Sequence, residues 1–161
     1  MSHRLHTSAG LVLGHKNFGE ASRLYFVLTA DWGLVSVLAQ GIRYLKSKWR
    51  YHLLEFSYLD FTLVRGREFW RVVGVVPPDL GPGGPFQPAQ LAATARLCHL
   101  LRRLVRGEAP QPELFTVVRD GLVFVRQESL SSSELAVCEL RLAAQILHQL
   151  GHLAIDLWPE V

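Results

Sequence analysis

The densest chemistry in this 161-residue sequence lies in one stretch, Gly41-Ile42-Arg43-Tyr44-Leu45-Lys46-Ser47-Lys48-Trp49-Arg50-Tyr51. It holds four cations, Arg43, Lys46, Lys48 and Arg50, interleaved with Tyr44, Trp49 and Tyr51. It also sits inside residues 32–54, which contain no Asp or Glu. Cations spaced this way track phosphates, and aromatic faces stack with bases for about 1–3 kcal/mol per base. Four phosphate contacts give a slope of about −3 for log affinity against log salt on single strands. The same residues also suit a solvated basic loop whose aromatics fold back onto the protein, and composition alone does not choose between the two.

Other chemistry has little to stand on. The sequence has no GxxxxGK[ST], HExxH, GxSxG or CxxC. Gly81-Pro82-Gly83-Gly84 is glycine-rich, but Pro82 removes an N–H donor and the third glycine of a dinucleotide fingerprint is missing. His148, His152 and Asp156 fall at i, i+4 and i+8, a spacing that can hold a metal on an unbroken helix. There is no fourth ligand, however, and Gly151 is placed to end the helix between the two histidines. Cys98 and Cys138 are two separated thiols, neither a disulfide framework nor a zinc site. No segment pairs carboxylates for acid–base work. The expectation is a protein with no catalytic residue, no metal and no cofactor.

The elements that must position the basic stretch are strands. Residues 8–13, 23–29, 34–39, 56–65 and 69–76 read as five short strands. Leu59, Phe61 and Leu63 share one face of the fourth, and Asp31-Trp32-Gly33 forms a turn. Five strands in about 70 residues point to a small barrel, for which the OB type is the common solution and an SH3-like barrel gives much the same pattern, with the basic stretch as the long connection between strands three and four. Residues 77–88, with five prolines and three glycines, cannot continue a ladder or a helix interior.

Helices follow. Residues 88–107 carry Leu97, Leu100, Leu101 and Leu104 on one face and Arg96, His99, Arg103 and Arg106 on the other. Residues 112–127 turn Leu114, Phe115, Val118, Leu122 and Val125 inward. A third helix opens with the capping box Ser131-x-x-Glu134, and its wide apolar face includes Leu135, Leu140, Leu142 and Ile146. The expected class is α+β: a five-stranded OB-like barrel (1–78), a Pro/Gly-rich linker (79–88) and a short helical bundle (89–161).

Charge is uneven. Residues 1–80 carry 10 Lys and Arg against 6 Asp and Glu, whereas residues 81–161 carry 7 against 8. The basic half is therefore the barrel, which favours a polyanionic partner there. No apolar run approaches the ~20 residues of a membrane span. His3, Arg4, His6 and Gly10 interrupt anything resembling a secretion signal, and unpaired thiols fit a reducing compartment. A cytoplasmic location with no membrane partner is expected.

An ordered set of residues resembles the RecO family of bacterial recombination mediators: Phe18-Gly19-Glu20, Arg23, Thr29, Gly33, Ala39-x-Gly41-x-Arg43 and Lys46-Ser47. Pro112-Glu113-Leu114-Phe115 and the helix from Glu139-Leu140-Arg141-Leu142 to Leu150-Gly151 extend the resemblance over most of the chain. It implies an OB-fold domain followed by a helical domain, binding of single- and double-stranded DNA, strand annealing, and help in loading a recombinase. It implies partnership with a RecR-like protein and with the tail of single-strand-binding protein. Arg23, Arg43, Lys46 and Ser47 carry over from the family pattern as DNA contacts, whereas Tyr44, Lys48, Trp49 and Arg50 rest on the residues alone. Gln40 stands where the family often has a basic residue. No Cys follows Gly151, so the zinc cluster of some members is not expected. The competing expectation is an adaptor whose helical half binds a partner peptide, with little direct DNA binding.

Overall fold

The computed structural model describes residues 4–78, 85–127 and 129–154. Five strands, β1 (Leu5–Phe18), β2 (Ser22–Thr29), β3 (Gly33–Ala39), β4 (Tyr58–Arg65) and β5 (Trp70–Val76), close a barrel in the order β1-β2-β3-β5-β4. Neighbours are antiparallel except β3 and β5, which run parallel over the pairs Val37↔Trp70 and Leu38↔Arg71. Alternation along each strand sends Val12, Tyr25, Val27, Val35, Val37, Phe61, Leu63 and Trp70 into the barrel interior.

β1 runs further than the hydrophobic pattern of residues 8–13. That pattern stops at Leu13, but the ladder to β2 continues through His15↔Tyr25 and Lys16↔Leu24 to Phe18↔Ser22. Backbone pairing, not burial, holds this polar extension. A bulge between Val12 and Gly14 bends the strand, with Gly14 at φ 148°, so that one strand pairs β4 with its first half and β2 with its second.

Three helices follow: α1 (Pro88–Leu104), α2 (Pro112–Gln127) and α3 (Ser132–Gln149). α1 ends at Leu104, before Gly107, because Val105 turns extended and buries its side chain. Gly107 then sits beyond the helix at φ 78°. In α2 the five residues read as inward are the buried ones. α3 starts as its capping box dictates: the Glu134 amide donates to Ser131 Oγ (3.3 Å) and the Ser131 amide to Glu134 Oε2 (2.8 Å). The Ser131 hydroxyl, donating to Glu134 Oε2 at 2.6 Å, and then the Ser131 amide hold the Glu134 carboxyl below its ordinary range.

Leu140 departs from the expectation. It is 66% exposed, because α1 and α2 cover only the arc of α3 marked by Leu135, Leu142 and Ile146. The bundle does not stand apart from the barrel. Leu11, Leu13 and Leu28, on the outer wall of β1 and β2, form one core with Leu97, Leu101, Phe115, Val118 and Ile146. At the β2–β3 turn Gly33, at φ 69°, lies where any Cβ would collide with the Ala109 carbonyl, so the α1–α2 connection presses directly on the barrel.

Candidate nucleic-acid interface

The basic stretch follows β3 and is tied down at both ends. At its start the Gly41 amide donates to Ser22 Oγ (3.3 Å) and the Arg43 amide to the Ala21 carbonyl (3.0 Å), fixing the loop against the β1–β2 turn. Ile42 and Leu53 are buried in the barrel core. The Tyr25 hydroxyl donates to the Leu53 carbonyl at 3.2 Å. Between these anchors the backbone advances in single turns, Tyr44 to Gly41, Ser47 to Tyr44, Arg50 to Ser47 and Leu53 to Trp49, each amide donating to the earlier carbonyl. This is an ordered scaffold built from local hydrogen bonds, not a free loop.

The anchors sort the side chains. Arg43, Lys46, Lys48 and Arg50 are exposed, as are Tyr44 (64%) and Tyr51 (75%). Trp49 folds back against the barrel core, with Lys48 Nζ 4.3 Å from its ring centre. The two readings of the aromatics therefore divide between residues: Trp49 packs inward, whereas Tyr44 and Tyr51 present free faces. Ser47 is half-buried.

Arg23 is not on this surface in the same sense. It is half-buried on β2 beside Tyr25, and its Nε is buried without a partner. Burial raises the Tyr25 phenol above its ordinary value, against the hydrogen bond and charge of Arg23.

Electrostatically the loop is uncompensated. Among the described residues no carboxylate forms an ion pair with Arg43, Lys46, Lys48 or Arg50; the pairs are His15–Glu55, Arg65–Glu108, Arg96–Glu139 and Arg119–Asp120. Glu55, the first acid after the loop, is turned to His15 Nδ1 at 2.8 Å.

Other features escaped the sequence reading. Arg102 and Arg103 of α1 reach the outer face of β2 and β3, where Arg102 lies 4.3 Å over the Phe26 ring. Phe18 at the end of β1 meets Phe69 of the β4–β5 turn edge-on at 5.5 Å. In sequence these residues are two neighbouring arginines of a helix and two distant aromatics, and only barrel closure and helix docking bring them near one another. The His148–His152–Asp156 spacing gives no site among the described residues: α3 ends at Gln149, His148 Nδ1 lies 3.0 Å from the Leu153 carbonyl, and no group of three possible metal ligands occurs. Asp156 lies outside the described residues. No described helix is long and apolar enough to cross a membrane.

These features define the class: an OB-type closed barrel with a helical bundle docked on its outer wall and a cationic, partly aromatic loop at one end. The recombination protein O N-terminal family matches residues 1–75. The DNA repair protein RecO of Gloeothece citriformis is 27% identical over 126 residues, 78% of this chain and 44% of that protein. That of Desulfitobacterium hafniense is 28% identical over 143 residues, 88% and 50%. That of Rubrobacter xylanophilus is 44% identical over 63 residues, 39% and 25%. Residues 1–75 thus carry the RecO N-terminal match, and most of the chain is similar to DNA repair proteins named RecO. The chain spans about half the length of these first two relatives.

Proposed function

We propose that the chain is a non-catalytic DNA-binding protein of recombinational repair that holds DNA on residues 43–51. The observation that carries this reading is the conjunction of four exposed cations, without a carboxylate partner among the described residues, with two exposed tyrosines on a hydrogen-bonded scaffold. A solvated basic loop needs no anchors. A binding surface gains from them, because the cost of ordering is met before the ligand arrives. Arg43, Lys46, Lys48 and Arg50 meet phosphates, and Tyr44 and Tyr51 offer stacking faces. Trp49 and Ser47 shape the loop, and Arg23 braces its base.

In this reading residues 1–78 carry the DNA contact, 79–88 link, and 89–161 form the helical domain. The name of the relatives, DNA repair protein RecO, extends the proposal to repair; the resemblance to the RecO family extends it further, to binding of single- and double-stranded DNA, annealing of complementary strands, and recombinase loading with a RecR-like protein and the tail of single-strand-binding protein. An adaptor role for the helical half has its own support in the exposed Phe124, Val137 and Leu140, and it is compatible with direct DNA binding.

The test is fluorescence anisotropy of labelled single-stranded and duplex oligonucleotides across a range of salt concentrations. Affinity that falls steeply with salt, with a slope near −3 on single strands, is expected. No binding at low salt would remove the DNA reading and leave the adaptor.

A further inference from the structure

α3 carries two apolar faces. Leu135, Leu142 and Ile146 pack into the cores shared with the rest of the molecule. About 140–160° around the helix from Leu142 stand Val137, Leu140, Ala144 and Leu147. Val137 and Leu140 are 59% and 66% exposed, and none of the four belongs to a core among the described residues. A helix apolar on opposite sides is ordinarily covered on both, and here one side is bare.

The bare row has the spacing of a helix–helix seam. Its members recur at three, four and three residues, the a and d positions of a heptad. Along one flank, seven residues apart, stand the exposed Glu134, Arg141 and His148. Along the other stand Ala136 and Ala143, small enough for a second backbone to approach closely. Past the charged flank, Arg141 shares a groove between α2 and α3 with Phe124, which is 48% exposed and widens the apolar surface.

The flanks say what covers the row. Laid antiparallel on a second α3, like flanks face each other, so Glu134 of each helix stands opposite His148 of the other. The Ser131 cap engages Glu134 Oε2, and Oε1 has no hydrogen-bond partner among the described residues. The same order sets the two helix dipoles head to tail, with the acidic first turn beside the last turn of the other copy. A parallel pair would face each charged flank with alanines. The one unfavourable contact is Arg141 against its own counterpart at the two-fold, which limits affinity.

We propose that the outer face of α3 is a self-association surface, on which two copies of this chain pair through antiparallel α3 helices about a two-fold axis. The seam from Val137 to Leu147 is about 15 Å long. That is short for an interface of the standard size of about 1,200–2,000 Å², so the two copies exchange with monomer in the micromolar range. None of this depends on what the β3–β4 loop binds.

The test is sedimentation equilibrium of the full chain, without nucleic acid, from low micromolar to submillimolar concentration. A reversible monomer–dimer equilibrium is expected. Val137→Glu and Leu140→Glu should each weaken the dimer by about tenfold or more, since a charge would be buried in the seam. Both variants should keep the thermal midpoint of the wild type in dilute solution, because both side chains are exposed in the single chain. In a Cys138→Ser background, Arg141→Cys should be joined to its counterpart by a short bismaleimide, which only the antiparallel order allows. A chain that stays monomeric at every concentration overturns the proposal and leaves the bare row to a different protein. A dimer indifferent to both glutamate variants overturns this face as its seam. A dimer that those variants break, but that does not crosslink at position 141, overturns the antiparallel order.

Discussion

The β3–β4 loop and the helical bundle treat charge in opposite ways. In the bundle, arginines are spent on the fold. Arg96 makes a bidentate pair with Glu139 across α1 and α3 at 2.6 and 2.7 Å, and Arg119 pairs with Asp120 at 2.7 Å. In the loop four cations sit together with no carboxylate partner among the described residues, and the nearby acid Glu55 lies 2.8 Å from His15 Nδ1. Like charges gathered on one loop repel, so the arrangement costs stability unless something else compensates. Here that compensation is local: buried Ile42 and Leu53, and the chain of backbone turns between them. The comparison teaches that the cations of the proposed docking surface are distinguished less by their number than by what they lack as partners among the described residues. The helical half has 7 Lys and Arg of its own, and among the described residues two of them, Arg96 and Arg119, are answered by carboxylates.

The largest effect expected from breaking the comparison falls on the bundle. Leu101 is fully buried in the core shared by helices and barrel. Leu101→Ala should lower unfolding free energy by about 2–5 kcal/mol, read by urea denaturation. Because that core includes Leu11, Leu13 and Leu28 of the barrel, fluorescence of the barrel tryptophans and helical circular dichroism should move together in one transition. Two separated transitions would show that the bundle unfolds by itself. In buffer, the folded variant should bind DNA through the loop with unchanged affinity.

Next comes the loop. Changing Arg43, Lys46, Lys48 and Arg50 to Gln should cost roughly two orders of magnitude in single-strand affinity near 0.1 M salt and flatten the salt slope by about 2.8. Unfolding should move in the other direction or not at all, since self-repulsion is removed and the anchors remain. A variant that unfolds early would mean that the cations hold the loop together, contrary to their exposure. Smaller again, Tyr44→Ala and Tyr51→Ala should each cost about 1–3 kcal/mol on single strands and little on duplex, where bases are already stacked. Trp49→Ala should instead act through stability, because Trp49 packs against the barrel core. Equal losses on single and double strands for the tyrosines would remove their stacking role.

How much of this could be read from the chain depends on range. Strands three and four, all three helices, the Ser131 cap and the buried face of α2 follow from periodicity and local signals, and each forms where those signals lie. β1 outruns its pattern because hydrogen bonding continues after hydrophobicity ends. Leu140 fails as a core residue because a helix carries a wider apolar arc than its neighbours cover, and no single helix states how wide a partner will be. The chemical content of the loop was legible, but its division was not. Nothing in Tyr44-x-x-x-x-Trp49-x-Tyr51 says which ring turns inward, since that depends on Ile42 and Leu53 closing the barrel end. The docking of α1 on the barrel was the least legible. Arg102 and Phe26 are 76 positions apart, and only helix docking across the bulge at Gly14 brings them together.

The smallest effect concerns two thiols that should leave binding untouched. Burial pushes the Cys98 thiol up to about 12, with the charge of Glu55 adding to the rise and Arg102 opposing it. Cys138 is only half-buried, on α3. At pH 8 a thiol reagent should modify Cys138 in the folded protein and reach Cys98 only on unfolding, because the thiolate is the reactive form. The same shift has a pH signature. A thiol whose pKa is higher folded than unfolded contributes stability that is fully present below about pH 9 and is lost as pH rises towards 12. Unfolding midpoints should therefore fall over that window, and Cys98→Ala should remove part of the fall while costing some stability at neutral pH. A slope unchanged by Cys98→Ala would assign the alkaline loss to other groups, among them Tyr25, whose raised phenol titrates with the same sign. Cys98 packs in the core that joins bundle to barrel, so rising pH should loosen that join.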